Sequence, residues 1–323
     1  MFVHGILSGP ARKNGWTLAE FAGESDPNGM QRLLTTARWD VDGVRDDLRD
    51  WILERFGDRT DAILVPTEAG FPKKGTASVG VHRQYNGMVG RTENVQVGIF
   101  LSCAAGDRWA LVDRELYLPR AWAGDAERCR QLGVPDGVGF ATRPQLARRM
   151  LQRVLDEPGP RPWVAGDETY GDDPALRSWL AGNDVPYVLA TRCLDRVSPV
   201  RRLNTPSGGP HGLPWERDRA GFDWARVPGH ADEPMLPGWE SFLLVRRSGS
   251  GPVRFGFHHC HARAGTPLSE LVRVAAAGAG AAQRLAQART DLGLDQYQVR
   301  RYDAWYRHVT LCMLAGAYLA VAG

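Results

Sequence analysis

Four runs of apolar and β-branched residues follow one another along the first part of the chain, with no helical pattern between them. They lie at residues 61–65, 77–85, 94–103 and 108–116. Strands that follow one another in this way form antiparallel hairpins or meanders, because parallel neighbours need a long crossover connection, usually a helix. The feature therefore predicts an antiparallel start to the sheet and excludes a βαβ unit at this point.

Helical and strand patterns alternate after these runs. Helical spacing is present at 125–132 and more strongly at 143–155, and a short strand pattern then ends at Asp167. A helix at 174–180 and a strand at 187–190 follow. Antiparallel strands followed by alternating helices and strands are the order of a ribonuclease-H-like core, an α/β fold whose mixed sheet is flanked by helices.

The same patterns divide the chain into four segments. The first is a helical lead-in, the second is the first part of the core, the third is a β-rich insertion with much Pro, Gly and Arg, and the fourth contains the C-terminal helices that complete the core. Their bounds are 1–58, 59–192, 193–265 and 266–323, in that order. The sequence thus predicts that the β-rich insertion precedes the last helices.

Composition and charge limit the class of protein. The chain has 323 residues, of which 43% are hydrophobic, and a mean hydropathy of −0.34, so it can bury a full core and is typical of globular proteins. Forty basic and 37 acidic residues leave a net charge of +3. This charge permits a local basic patch but does not by itself indicate nucleic-acid binding.

The cysteines and the chain termini indicate a compartment. Five cysteines, an odd number without a CxxC pair, indicate neither a disulfide framework nor a zinc ribbon. The N-terminus has no secretion-signal pattern, and the apolar run 309–322 is too short to span a bilayer. We therefore expect a cytoplasmic protein without a membrane partner.

Seven blocks spread over nearly the whole chain carry a shared pattern. They read RKNGWTLAEFAG, GFPKKGTASVGVHRQYNGMVGRTENVQVGIFL, DRELYLPRAW, GFATRPQLARRML, GDETYGDDPALRSWL, AGTPLSELVRVA and GLDQYQVRRYDAWYRHVTLCMLAGAYLAV. Together they resemble the bacterial insertion-sequence transposases of the IS701 type, which are relatives of the IS4 group. The resemblance implies a ribonuclease-H-like catalytic core with two aspartates and a glutamate, the DDE triad.

The resemblance also assigns positions to the three acids. The first aspartate of the family corresponds to Thr67, the second to Asp167 and the glutamate to Ala282. Phosphodiester cleavage of this kind uses two divalent metal ions, and such hard cations require carboxylate oxygens. A hydroxyl and a methyl group cannot replace two anionic ligands. We therefore expect no metal site and no DDE nuclease activity.

Several residues remain candidates for a site. Asp167, Glu68 and Thr67 are candidate catalytic residues because they lie at predicted strand ends. The alternatives are that Asp167 only caps the turn that follows it, and that Glu68 is solvated or pairs with Lys73 or Lys74. The two lysines either attract phosphates or lie in a solvated loop. The candidate substrate-binding residues are Lys73, Arg83, Tyr85, Tyr170 and His258.

A histidine-rich strand is a further departure from the family pattern. In Phe257–His261, alternation places His259 and His261 on one face and His258 with Cys260 on the other. Each face offers two metal ligands, fewer than the three or four that zinc requires. Histidine titrates near neutral pH, so His259 and His261 are candidate acid–base catalysts. A surface cluster without function is the alternative.

The helix predicted from Pro267 to Leu292 has lost bulk and charge near the triad position. Residues 278–283 read GAGAAQ where the family has arginine, tryptophan and two glutamates. We expect that this change opens a cavity beside Asp167, Thr67 and Glu68 that could admit a small molecule.

Three functions remain open from the sequence. The first is a transposase-derived enzyme that acts on a small molecule by acid–base chemistry without a cofactor, in bacterial specialised metabolism. The second is a domesticated transposase that binds DNA without cleaving it, and the third is an inert relic. The sequence names no substrate and no oligomeric state.

Overall fold

The structure is a computed structural model, which describes residues 1–10, 12–57, 59–86, 90–192, 213–228, 237–249 and 254–322. The chain forms two compact units. The first unit comprises residues 1–58, 67–154 and 281–323, and the second unit comprises residues 59–66 and 155–280.

Four helices are followed by four consecutive strands, after which helices and strands are mixed along the chain. The helices are α1 Phe2–Leu7, α2 Gly15–Phe21, α3 Asn28–Thr35, α4 Val41–Arg55, α5 Arg120–Ala123, α6 Ala126–Gln131, α7 Arg143–Leu155, α8 Glu168–Gly171, α9 Pro174–Gly182, α10 Leu268–Leu292 and α11 Tyr302–Ala322. The strands are β1 Ile63–Pro72, β2 His82–Asn86, β3 Arg91–Ala105, β4 Arg108–Tyr117, β5 Trp163–Gly166, β6 Tyr187–Thr191, β7 Glu216–Arg217, β8 Asp223–Pro228, β9 Trp239–Arg247 and β10 Phe255–Arg263.

The first unit contains the predicted antiparallel meander. Strand β3 pairs with β2 along its first residues and with β4 along the rest. Helix α11 packs on β4, and its residues from Ala304 to Ala317 are mostly buried. Gly98 of β3 permits a close approach, because a methyl group there would lie 3.0 Å from the Trp305 ring. The apolar C-terminal run is therefore a core helix.

The second unit contains a mixed sheet. The first residues of β1 pair in parallel with β5, and β5 pairs in parallel with β6. Strand β10 pairs antiparallel with β6 and with β9, and β9, β8 and β7 continue the antiparallel order. Parallel and antiparallel pairs in one sheet, with helices in the connections, confirm the predicted fold class, and β7–β10 are the β-rich segment expected before the last helices.

The predicted bounds of two strands are wrong. Strand β1 does not end at Val65 but continues through Pro66 to Pro72. Its parallel pairing with β5 covers only Ile63 and Leu64, so the missing N–H of Pro66 interrupts no bond to that neighbour. The run at 77–81 is not a strand, because Gly80 has a φ of 73° and turns the chain between two buried valines.

The helical predictions are confirmed. Helix α7 has the predicted bounds, and α6, α9 and α10 lie within two residues of theirs at each end. Gly293 ends α10 with a φ of 67°, the left-handed conformation that favours glycine. Among the described helices, none is long and apolar enough to cross a membrane.

Candidate functional site

Asp167 lies directly after β5 and begins α8. Its carboxylate accepts a hydrogen bond from the backbone N–H of Thr169 at 2.9 Å, so Asp167 caps the N-terminus of α8. The side chain is exposed, and the neighbouring Glu168 forms an ion pair with Arg192 at 3.4 Å. The Asp167 carboxylate therefore stabilises the start of α8 and is also accessible to solvent.

A second acidic side chain next to this turn was missed by the sequence interpretation. Asp172 accepts hydrogen bonds from the Thr191 hydroxyl at 2.5 Å and from the Arg192 backbone at 3.1 Å. A methyl group at Gly171 would overlap the Ala190 carbonyl, 1.8 Å away, so only glycine fits there. The second glycine of the GDETYG block was the available signal for this close approach of α8 to β6.

Glu68 is anchored in the first unit by a partner that the sequence did not indicate. Its carboxylate pairs with Arg143 at 2.6 Å, and the Arg143 guanidinium lies 5.5 Å from the Tyr117 ring centre. The neighbouring Thr67 is buried within β1. Arg143 begins α7, which is far from β1 in sequence, so local patterns contain no signal for this pair.

Lys73 is not a solvated loop residue. Its ammonium lies 3.6 Å from the Tyr297 ring centre, a cation–π contact. Burial lowers the pKa of Lys73 to about 8, and the nearby charge of Asp295 opposes this shift. The neighbouring Lys74 is exposed, so only one of the two lysines matches the expectation of a solvated loop.

Arg83 lies exposed on β2 at an open cavity of about 700 Å³. His82 and Arg128 also line this cavity, and the Arg128 guanidinium stacks 3.5 Å from the Trp122 ring centre. The described residues that line it include no acid. The Tyr85 backbone belongs to β2, while its side chain lies outside the described part of the structure.

Tyr170, another candidate substrate-binding residue, is fully buried in the second unit. It lies in α8 and packs closely on the end of β5, because a methyl group at Gly166 would lie 3.3 Å from its Cβ. The ring therefore helps to hold α8 against the sheet.

The histidine strand is buried, so the interpretation as a surface cluster is wrong. His258, His259, Cys260 and His261 all have at most 9% exposure. The physical reason is that β10 lies between β6 and β9 and carries packed residues on both faces. Among the described residues, no three His, Cys, Asp or Glu side chains are grouped to hold a metal ion.

The buried histidines have packing partners. His261 stacks with Trp239 at 4.7 Å between ring centres, and its Nδ1 lies 2.8 Å from the Ser241 hydroxyl. The His258 ring lies 5.8 Å from that of Trp224. Burial and, to a smaller extent, the charge of Arg246 lower the pKa of His258 to about 4, so this ring is neutral at pH 7.

The glycines of α10 differ in their surroundings. A methyl group at Gly278 would lie 3.1 Å from Ala165 Cβ and 3.3 Å from the backbone nitrogen of Gly166, so the helix packs directly on β5 there. The sequence-based expectation that this part of α10 opens a cavity is therefore wrong at Gly278. At Gly280 nothing lies within 4 Å, and Ala282, the triad position, is exposed.

Comparisons with known proteins relate the chain to one family. Residues 1–235 match the family model described as DDE superfamily endonuclease. The chain is 28% identical, over 173 residues, to the probable transposase for insertion sequence element IS701 of Microchaete diplosiphon. The match covers 53% of this chain and 42% of that protein, so the chain spans less than half the length of the curated relative.

A solved structure supports the fold. The chain is similar to piggyBac transposase, in a cryo-EM structure of its synaptic complex with hairpin DNA, with a TM-score of 0.54 and 12% identity. The likeness covers 99% of this chain and 64% of that one. At this identity it bears on the fold alone, and it agrees with the predicted ribonuclease-H-like core.

Proposed function

Because the chain belongs to the DDE superfamily of endonucleases, we propose that it is a domesticated transposase relative that keeps the frame of this family without its DNA-cleaving chemistry. One observation carries the proposal. Of the three positions that the IS701 resemblance assigns to metal-binding acids, only Asp167 has a carboxylate, while Thr67 and Ala282 have none.

The side chains at these positions do not fit a pair of divalent cations. Such ions require anionic oxygen ligands. Thr67 offers a neutral hydroxyl in a buried strand, and Ala282 offers a methyl group on an exposed helix surface. We therefore expect neither hydrolysis nor strand transfer from this chain.

A nicking assay tests the loss of cleavage. The purified chain is incubated with supercoiled plasmid and Mg²⁺ or Mn²⁺, and we expect no relaxed or linear product above a protein-free control. Metal-dependent nicking that disappears in Asp167→Asn would contradict the proposal. The double variant Thr67→Asp with Ala282→Glu tests whether only the metal ligands were lost. If the rest of the metal site is intact, this variant should bind Mg²⁺ or Mn²⁺ in a calorimetric titration.

The proposal extends to a new activity: acid–base chemistry on a small molecule in the bacterial cytoplasm, in specialised metabolism, without metal or cofactor. One side chain supports it. Asp167 is exposed at the end of a parallel strand, where enzymes of α/β type place functional groups.

The small-molecule activity is tested with fractionated extracts of the producing cell. We expect one low-molecular-weight fraction to raise the Tm of the chain and to be chemically altered by it. Asp167→Asn should lose the turnover, whereas the control Asp184→Asn, at an exposed position of the same unit, should keep it. Equal turnover by the two variants would contradict the role of Asp167.

A second candidate function, DNA binding without cleavage, is favoured by the open cavity at Arg83. Its lining includes Arg83, Arg128 and His82 and, among described residues, no acid. Duplex binding, measured by fluorescence anisotropy, should then weaken steeply with salt, and Arg83→Ala should reduce the slope of log K against log salt by about 1. Arg284→Ala, at an exposed position of α10, is the control. Binding without salt dependence would exclude this function.

A further inference from the structure

A cavity of about 470 Å³ lies in the first unit, and none of the three triad positions lines it. It is lined by residues of α4, β4, α7 and α11, by Leu118 directly after β4, and by the connection between α6 and α7. This volume is within the range of small-molecule sites in proteins. The resemblance to transposases assigns no role to it.

The charges that line this cavity are paired, with one exception. Glu115 pairs with Arg153 at 2.7 Å, and Asp42 pairs with Arg114 at 3.0 Å. Arg45 and Asp303, which also line the cavity, have ion-pair partners as well. Within the described ranges of the chain, Arg149 of α7 has no ion-pair partner. Among the described charged side chains of the wall, Arg149 is therefore the one that is available to pair with a ligand.

Two tyrosines in the cavity wall form a chain of hydrogen bonds that ends at Glu115. The Tyr302 hydroxyl donates to the Tyr306 oxygen at 3.1 Å, and the Tyr306 hydroxyl donates to Glu115 at 3.0 Å. The Leu116 backbone N–H also donates to Tyr306, at 3.1 Å. Burial raises the pKa of Tyr302, so it stays protonated, and its oxygen retains an acceptor position for a bound molecule.

Apolar side chains complete the lining. Leu118, Val138 and Leu146 line the cavity together with the charged and hydroxyl groups. Leu118 and Leu146 are buried, and Leu146 lies on the same helix as Arg149, one turn away. An apolar surface beside a cation without an ion pair is suited to a ligand with a hydrocarbon body and one anionic group.

We propose that this cavity binds a small organic carboxylate that also carries a hydroxyl group. Its carboxylate pairs with Arg149, its hydroxyl donates to the Tyr302 oxygen, and its hydrocarbon body lies on Leu118, Val138 and Leu146. The other charged side chains of the wall need no ligand because each already has an ion-pair partner. None of Thr67, Asp167 and Ala282 lines the cavity, so this proposal does not depend on the proposed loss of DNA cleavage.

Three probes test the site by isothermal titration calorimetry on the full chain. They are 3-hydroxybutanoate, butanoate and butylammonium. We expect 3-hydroxybutanoate to bind more tightly than butanoate, and butylammonium not to bind. Arg149→Leu should weaken both carboxylates about tenfold or more, the effect of losing a charge-assisted hydrogen bond. Arg148→Leu, the matched exposed neighbour that does not line the cavity, should change binding less than twofold.

Tyr302→Phe distinguishes the two contacts. It should weaken 3-hydroxybutanoate to the level of butanoate and leave butanoate unchanged, because only the hydroxyl contact is removed. Thermal melts establish that each variant is folded, which is expected because Arg149 is exposed. No carboxylate binding to the folded wild-type chain, or equal losses in Arg148→Leu and Arg149→Leu, would overturn the proposal.

Discussion

The ammonium of Lys73 lies 3.6 Å from the centre of the Tyr297 ring. The Tyr297 hydroxyl is in turn hydrogen-bonded to Gln96, whose amide donates to the Val79 carbonyl at 2.6 Å. The contact thus connects the lysine of the GFPKKG block to β3 and to the segment before α11. A side chain predicted to bind substrate is part of the packing of the first unit.

The stability of the chain should depend on the titration of Lys73. Its folded pKa of about 8 is below the ordinary value of 10.5, so between these values the unfolded chain holds a proton that the folded chain has released. The lowered pKa therefore reduces the unfolding free energy below pH 8, and this reduction disappears progressively as the pH rises to 10.5. Urea unfolding at pH 8 and 10.5 should show a larger rise in unfolding free energy for wild type than for Lys73→Met. Equal rises would show that the lysine pKa is not lowered.

His258 should make the chain less stable in mild acid. Its folded pKa of about 4 is below the ordinary 6.5, so as the pH falls from 6.5 to 4 only the unfolded chain gains the proton. Unfolding free energies should fall more steeply over this window for wild type than for His258→Phe. Other buried histidines contribute equally to both proteins, so the difference between the slopes isolates His258.

Arg153 should contribute strongly to the stability of the chain. Its guanidinium donates to Asp113 and to Glu115, each at 2.7 Å, and the Asp113 side chain is fully buried. Arg153→Met removes these bonds and leaves a buried carboxylate short of a partner, which costs about 3–5 kcal/mol. Arg149→Met, on the same helix, should change the unfolding free energy by less than about 0.5 kcal/mol. Similar values for the two variants would contradict this role.

Two glycines of α10 should respond oppositely to alanine. Gly280→Ala meets no atom within 4 Å and should stabilise the chain by up to about 1 kcal/mol, the helix-propensity difference. Gly278→Ala would place a methyl group 3.1 Å from Ala165 Cβ, and this overpacking should cost about 1–3 kcal/mol. Chemical denaturation of both variants measures the difference. Stabilisation by Gly278→Ala would show that the helix can move away from β5.

The sequence predicted the elements that depend on local order. Helical spacing identified α7 with its bounds, and the strand pattern before Asp167 placed that carboxylate at the end of β5. The end of β1 and the turn at Gly80 were not predicted, because the pairing of a strand and the sign of a glycine φ depend on neighbours distant in sequence.

The candidate site was predicted only in part for the same reason. By itself, the sequence determined which side chains are present, including the hydroxyl at Thr67 and the methyl group at Ala282, and which local elements carry them. The tertiary structure decided that Glu68 pairs with Arg143 and that Arg149, among the described charges that line its cavity, has no ion pair. It also decided that His258–His261 are buried, because the exposure of a strand is set by the neighbours on both its sides, which local periodicity does not specify.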